Sequence, residues 1–171
     1  MSDARTGADR LALGTPLHEA LDTASPTAWA ALDAGVRILA SRPGNPLPTR
    51  HELRALPAGP PSPADASRIA LALCHPNGRL REAALDRVAG ARALRPLLVV
   101  RCADWVAPVR DRARALLAEL PASQLAALAP LVLLLSRRER GGFALRLLEG
   151  ALRDGPGRIV RALLTHEDRA V

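Results

Sequence analysis

The chain has 171 residues, enough for one good-sized domain or a short run of repeats. Its apolar fraction of 49% is ordinary, but aromatic residues make up only 2% (Trp29, Trp105 and Phe143), so the core is built from Leu, Ala and Val. That excludes the β-branched and aromatic runs of a strand-rich protein, while the formal net charge of +7, carried by 24 basic residues that are all Arg, raises the question of a polyanion partner.

Residues 1–56 read as an N-terminal helical segment. Residues 1–14 look like a frayed terminus that mixes acidic with basic residues and lacks the apolar run of a signal peptide. Thr15-Pro16 and Ser25-Pro26 are helix starts, each a hydroxyl followed by a proline. The second opens a helix with Trp29, Leu32, Val36 and Leu39 at helical spacing, which ends before the breaker cluster Arg42-Pro43-Gly44-Asn45-Pro46. Thr49 and Glu52 form a capping box for a short helix reaching Leu56. Residues 57–64 are a Pro-rich linker or a long inter-helix loop; the small size of the preceding piece favours the loop.

From residue 65 the pattern changes to paired helices. One helix carries Ile69, Ala72 and Leu73 and stops at His75-Pro76-Asn77-Gly78; the next holds Leu80, Ala84, Leu85 and Val88. A second pair follows, with Leu94, Leu97, Leu98 and Val100 around an internal Pro96, a corner at Ala103-Asp104-Trp105, and Val109, Ala113, Leu116, Leu117 and Leu120 on one buried face. Leu80-Arg81-Glu82-Ala83-Ala84 matches Val109-Arg110-Asp111-Arg112-Ala113 at an offset of 29 residues, and Pro96 matches Pro130 at an offset of 34. In a third pair Phe143 takes the place of Val109, followed by Leu147, Leu148 and Leu152. A helix pair repeating about every 30 residues is the signature of a helical solenoid.

The run Leu94-x-Pro96-Leu97-Leu98, then Asp104, then Val109-Arg110-x-x-Ala113-x-x-x-Leu117 resembles a HEAT repeat, whose family carries a Pro in the first helix, an Asp at the corner and a Val-Arg-x-x-Ala start to the second. The resemblance covers residues 65–171; in the unit before, His75 stands where the Asp belongs, and Arg138-Glu139-Arg140 and Phe143-Ala144 replace the motif in the unit after. It implies an all-α, right-handed α-solenoid of HEAT-like helix hairpins. It further implies that Asp104 and Arg110 tie adjacent units together, and that second helices line a concave partner-binding face. The chain ends at Val171, where a further helix is due, so the last repeat is expected to be incomplete and the chain to belong to a longer repeat protein.

The candidate partner-binding residues are Arg112, Arg137, Arg138, Arg140 and Arg146, with the run Arg137-Arg138-Glu139-Arg140 the densest. Acidic residues interleave with the second-helix arginines, as on a solvated face, and a GC-rich bacterial coding bias also accounts for the absence of Lys. Asp104, Arg110 and Trp105 read as structural, Trp105 as a packing plug between units. HEAT-like DNA glycosylases use Trp and Asp on their concave face, which makes Trp105 beside Asp104 the basis of an alternative reading.

No nucleophile elbow, phosphate-binding loop, dinucleotide fingerprint or metalloprotease pair occurs, so neither a catalytic residue nor a cofactor is assigned. Cys74-His75 lacks further ligands, so no metal is assigned either. The longest apolar stretch, Leu125 to Leu135, contains Pro130 and falls short of the roughly 20 residues a membrane span needs. The expectation is a cytoplasmic protein with both cysteines reduced and buried. It is expected to act as a non-catalytic scaffold for an unknown protein partner, with a nucleic-acid-binding array as the alternative.

Overall fold

The structure is a computed structural model that describes residues 6–57, 59–88 and 90–154. Those residues form eleven α-helices and one 3-10 turn, with no strand among them. None of these helices is long and apolar enough to cross a membrane. The chain end at Val171, where a further helix is expected, and the incomplete last repeat lie outside the described residues.

Four helices come first: α1 (Gly7–Ala12), α2 (Leu17–Ala20), α3 (Pro26–Ala40) and α4 (Arg50–Ala55). Residues 6–14 are not frayed. Thr6 and Asp9 form a reciprocal capping box, and Ala8 and Leu11 are buried against the rest of the chain. Gly14, with φ of 87°, turns the chain out of α1 in a conformation that favours glycine. The capping box of α4 forms as its sequence predicts, Glu52 N–H donating to Thr49 Oγ1 at 3.3 Å and Thr49 N–H to Glu52 Oε2 at 2.7 Å.

The remaining described residues are mainly helix pairs. They are α5 (Pro63–Leu73) with α6 (Gly78–Leu85), α7 (Arg95–Arg101) with α8 (Ala107–Ala118), and α10 (Ala129–Ser136) with α11 (Gly142–Asp154). The short α9 (Ala122–Ala126) precedes the last pair and packs on α11. α7 touches both α5 and α10, and α8 touches both α6 and α11. Val109, Ala113, Leu116 and Leu117 are buried, as the spacing predicts, and each full Val or Leu burial contributes about 1.5–3 kcal/mol.

Pro96 and Pro130 do not lie inside their helices. Each stands in the first turn, with the 3-10 turn (Arg92–Leu94) or α9 supplying the chain before it. At that position the missing N–H costs no helical hydrogen bond.

The N-terminal helices pack onto these pairs. α1 lies on α3 and α5, α3 crosses α7 and α10, and α4 meets α5 and α6. Three polar ties cross this boundary. Ser67 Oγ–H donates to Thr15 O at 3.1 Å, and Arg101 pairs with Asp33. Arg87 donates to the carbonyls of Leu53, Arg54, Leu56 and Pro57, placing a cation on the otherwise unpartnered end of α4. One hydrophobic cluster accordingly runs from Ala8 to Leu148.

Candidate functional site: the corner edge

The buried charges among the described residues, Asp33, Arg81, Arg101 and Asp104, gather around the turn between α7 and α8. The apolar helix α7 ends in Arg101, only 2% exposed. The chain then turns so that Asp104 N–H donates to Arg101 O at 3.0 Å and Val106 N–H donates to Asp104 Oδ1 at 2.9 Å, an Asp turn that leads into α8. This local bond aims the carboxylate inward.

Arg81 of α6 meets that carboxylate as a fork, Nε–H to Oδ2 at 2.9 Å and Nη2–H to Oδ1 at 2.8 Å. Its Nη1 donates to His75 O at 2.7 Å and Pro76 O at 2.9 Å. Arg81 thus holds the corner of its own helix pair and the corner of the next. Arg101 Nη1 adds a third bond to Asp104 Oδ2 at 2.9 Å, and its Nη2 bonds Asp33 on α3. Arg37, one turn beyond Asp33, closes the chain of charges at 3.6 Å.

Burial alone would raise the Asp104 carboxyl. The Arg81 and Val106 hydrogen bonds and the Arg101 charge outweigh it and hold the group below its ordinary value, so Asp104 is a fixed anion and a poor base.

The sequence pairing of Asp104 with Arg110 is corrected in detail. Arg110 reaches only the Asp104 backbone carbonyl, at 3.1 Å, and the carboxylate belongs to Arg81 and Arg101. Arg81 lies 29 residues before Arg110 and ties the turn of its own helix pair to the turn of the following pair. Trp105 is not a plug between units. It is 61% exposed, with the Arg81 guanidinium 5.6 Å from its ring centroid. Its helix-entry position points it outward because Asp104 turns inward.

Beside Trp105 lies a hollow of about 170 Å³, walled by Asp33, Arg37, Arg101, Asp104 and the exposed run Arg138-Glu139-Arg140. Four arginines face three carboxylates there, and the Nε–H of Arg101 has no partner among the described residues. The run is placed by Gly141: a Cβ at that position would stand 2.0 Å from Leu135 O, so only glycine lets the corner close this tightly.

The structure therefore gathers Arg138 and Arg140 at one hollow with Trp105 and Asp104. Arg137 is exposed beside them. Arg112 is elsewhere, in a surface pair with Asp86 at 3.1 Å, and Arg146 is exposed on α11. Arg114 is also spoken for, donating to Cys102 O at 3.1 Å and stacking 4.8 Å from the Phe143 centroid.

The residues missed from sequence are Asp33, Arg37 and Arg101. A lone charge closing the apolar run Leu97 to Val100 was the available signal for Arg101, and the i, i+4 spacing was the signal for Asp33 and Arg37. Cys74 and Cys102 are buried, and burial pushes both thiols up to about 12, so neither is a ready nucleophile. The described residues contain no group of three or more His, Cys, Asp or Glu placed to hold a metal ion.

No protein-family model, curated protein or solved structure matches this chain. The chemistry of the corner edge carries the functional reading. It offers cations, one exposed indole face and a locked buried network, a set suited to holding an anionic group.

Proposed function

We propose that the chain is a non-catalytic scaffold of HEAT-like helix hairpins, arranged as an α-solenoid, that binds a protein partner through its corner edge. The single observation that carries this reading is the hollow itself: Arg37, Arg138 and Arg140 beside an exposed Trp105, on a base of ion pairs buried too deeply to move. A hollow of about 170 Å³ has room for one carboxylate side chain, and the indole offers its face to an apolar neighbour of that side chain. The favoured partner segment is acidic and amphipathic.

A second reading has one observation in its favour. An exposed indole among arginines is also how single-stranded nucleic acid is held, by stacking and charge. Fluorescence-polarisation titrations with a labelled Glu/Leu-rich 12-residue peptide and a labelled 12-nucleotide single strand, across 50 to 200 mM salt, separate the two. The scaffold reading expects peptide binding that survives 150 mM salt and weakens at least about tenfold in an Arg138→Gln/Arg140→Gln variant. Strand binding with a steep salt slope, and no peptide binding, overturns it in favour of the alternative.

A further inference from the structure

At the other end of α3 lies a larger hollow, of about 690 Å³. Trp29 in the first turn of α3 lines it, whereas Arg37, about 12 Å further along the helix, lines the corner hollow. The two sites are separate, and their linings are of opposite character. The floor of the larger one is apolar: Leu17, Trp29 and Leu128 are buried side chains that also face this space, and Pro96 adds its ring. The Trp29 indole N–H is already satisfied by Thr23 O at 3.0 Å, so the small part of the ring open to the space is hydrocarbon.

Two cations stand at the edge. Arg92 is exposed and Arg95 half-buried, and neither makes an ion pair among the described residues. Among the described residues no Asp or Glu lines the hollow; Glu19, which contacts His18 at 3.7 Å, is not part of its wall. A third feature points to a guest. Gln124 lines the same space, and its amide Oε1 is buried without a hydrogen-bond partner among the described residues. A buried acceptor left this way is costly, and rotation of the amide turns its N–H₂ donor toward an anionic group in the same space.

A concave, mainly apolar space of this volume with a few convergent polar groups has the dimensions of a small-molecule site. We propose that it binds a small organic acid with an apolar body, in the simplest case a medium-chain carboxylate. The carboxylate pairs with Arg92 and Arg95 and accepts from the Gln124 N–H₂, and the chain lies against Trp29, Leu17 and Leu128. A neutral amphiphile of the same length forfeits the arginine pairing, and a short acid forfeits the floor.

Isothermal titration calorimetry of the full chain with decanoate tests this. The expected result is one site with a Kd of about 0.1 mM or tighter. Decanol and acetate should each bind at least about tenfold more weakly, and so should decanoate to Arg92→Gln/Arg95→Gln, whose substituted side chains lie at the surface. Ala127→Phe, at an exposed position on the rim, fills the space and abolishes binding with an unchanged melting profile. In a Trp105→Phe variant the remaining indole, Trp29, should still change its fluorescence on titration. The Arg138→Gln/Arg140→Gln variant should bind decanoate normally, since this site is independent of the corner edge. Absence of binding at 5 mM decanoate, equal affinity for the double arginine variant, or loss of the fluorescence response in Trp105→Phe overturns the proposal.

Discussion

Asp104→Asn tests the buried network most directly. In the native chain one carboxylate, 4% exposed, faces two guanidinium groups that are 0% and 2% exposed. With Asp33 the network holds two positive and two negative charges and is balanced. The amide keeps one acceptor for the Val106 N–H but removes a charge and turns an N–H₂ toward arginine donors, leaving a net positive charge buried. Breaking a buried pair from one side costs about 3–5 kcal/mol, against a total stability of about 5–15 kcal/mol for a domain. Arg81 keeps its bonds to the His75 and Pro76 carbonyls and Arg101 keeps Asp33, so the lower half of that range, about 3–4 kcal/mol, is expected. Urea unfolding followed by circular dichroism should show a lower midpoint with an unchanged slope. The control is Asp86→Asn, which breaks the Arg112 pair, whose side chains are 48% and 64% exposed; solvent screening limits its effect to about 0.5 kcal/mol or less. A double-mutant cycle with Arg81→Met should return a coupling above about 1 kcal/mol. If Asp104→Asn moves the midpoint no further than Asp86→Asn, the buried network does not hold the corners together and the reasoning fails.

Acid should weaken the protein in two stages. Burial and the Arg81 charge lower the His75 pKa below its ordinary 6.5, and its Nδ1 accepts from Asn77 N–H at 2.9 Å, which needs the neutral ring. The unfolded chain therefore binds the proton first, so the contribution is present above pH 6.5 and is lost as pH falls through the lower folded value. His75→Asn, whose oxygen can replace Nδ1, should flatten stability between pH 7.5 and 5. The carboxyls of Asp104 and Asp9 are likewise held below 3.8, Asp9 chiefly by the Thr6 hydroxyl, so their contribution is intact above that value and disappears beneath it. A native-state titration with a thiol reagent at pH 8 should label neither cysteine until the chain unfolds, because both thiols are buried and pushed up to about 12. Gly141→Ala should cost about 2 kcal/mol or more in melting experiments, since its Cβ meets a backbone carbonyl that cannot move aside. Trp105→Ala should change stability by less than about 1 kcal/mol, the ring being 61% exposed, while it weakens binding of the acidic peptide.

Local signals decided some turns and not others: α2 begins after Pro16 without Thr15 as its cap, and Ser25 precedes α3 without a side-chain cap bond. The Thr49–Glu52 box forms, and Val109, Ala113 and Leu117 are all fully buried. The frayed reading of residues 1–14 failed because Thr6 and Asp9 carry the same box logic in a stretch too polar to suggest a core contact. Arg81 looked like one more surface arginine on an amphipathic helix. Nothing within its own helix reports that Asp104, 23 residues later, turns its carboxylate into the same interior.

What the chain's own residues determine, then, is an all-helical protein with paired helices from about residue 65 and turns set by caps, prolines and glycines. These depend on bonds and contacts within a few residues, which order in the sequence encodes directly. What only the tertiary structure decides is which charges are buried and which residues share a hollow. Asp33 meets Arg101 across 68 positions, and Trp29 meets Leu128 across the same cavity, because α3 lies over α7 and α10. Helix spacing alone cannot specify that crossing: many apolar stripes would fit the same face, and the choice among them rests on the packing of whole elements and the pairing of buried ions.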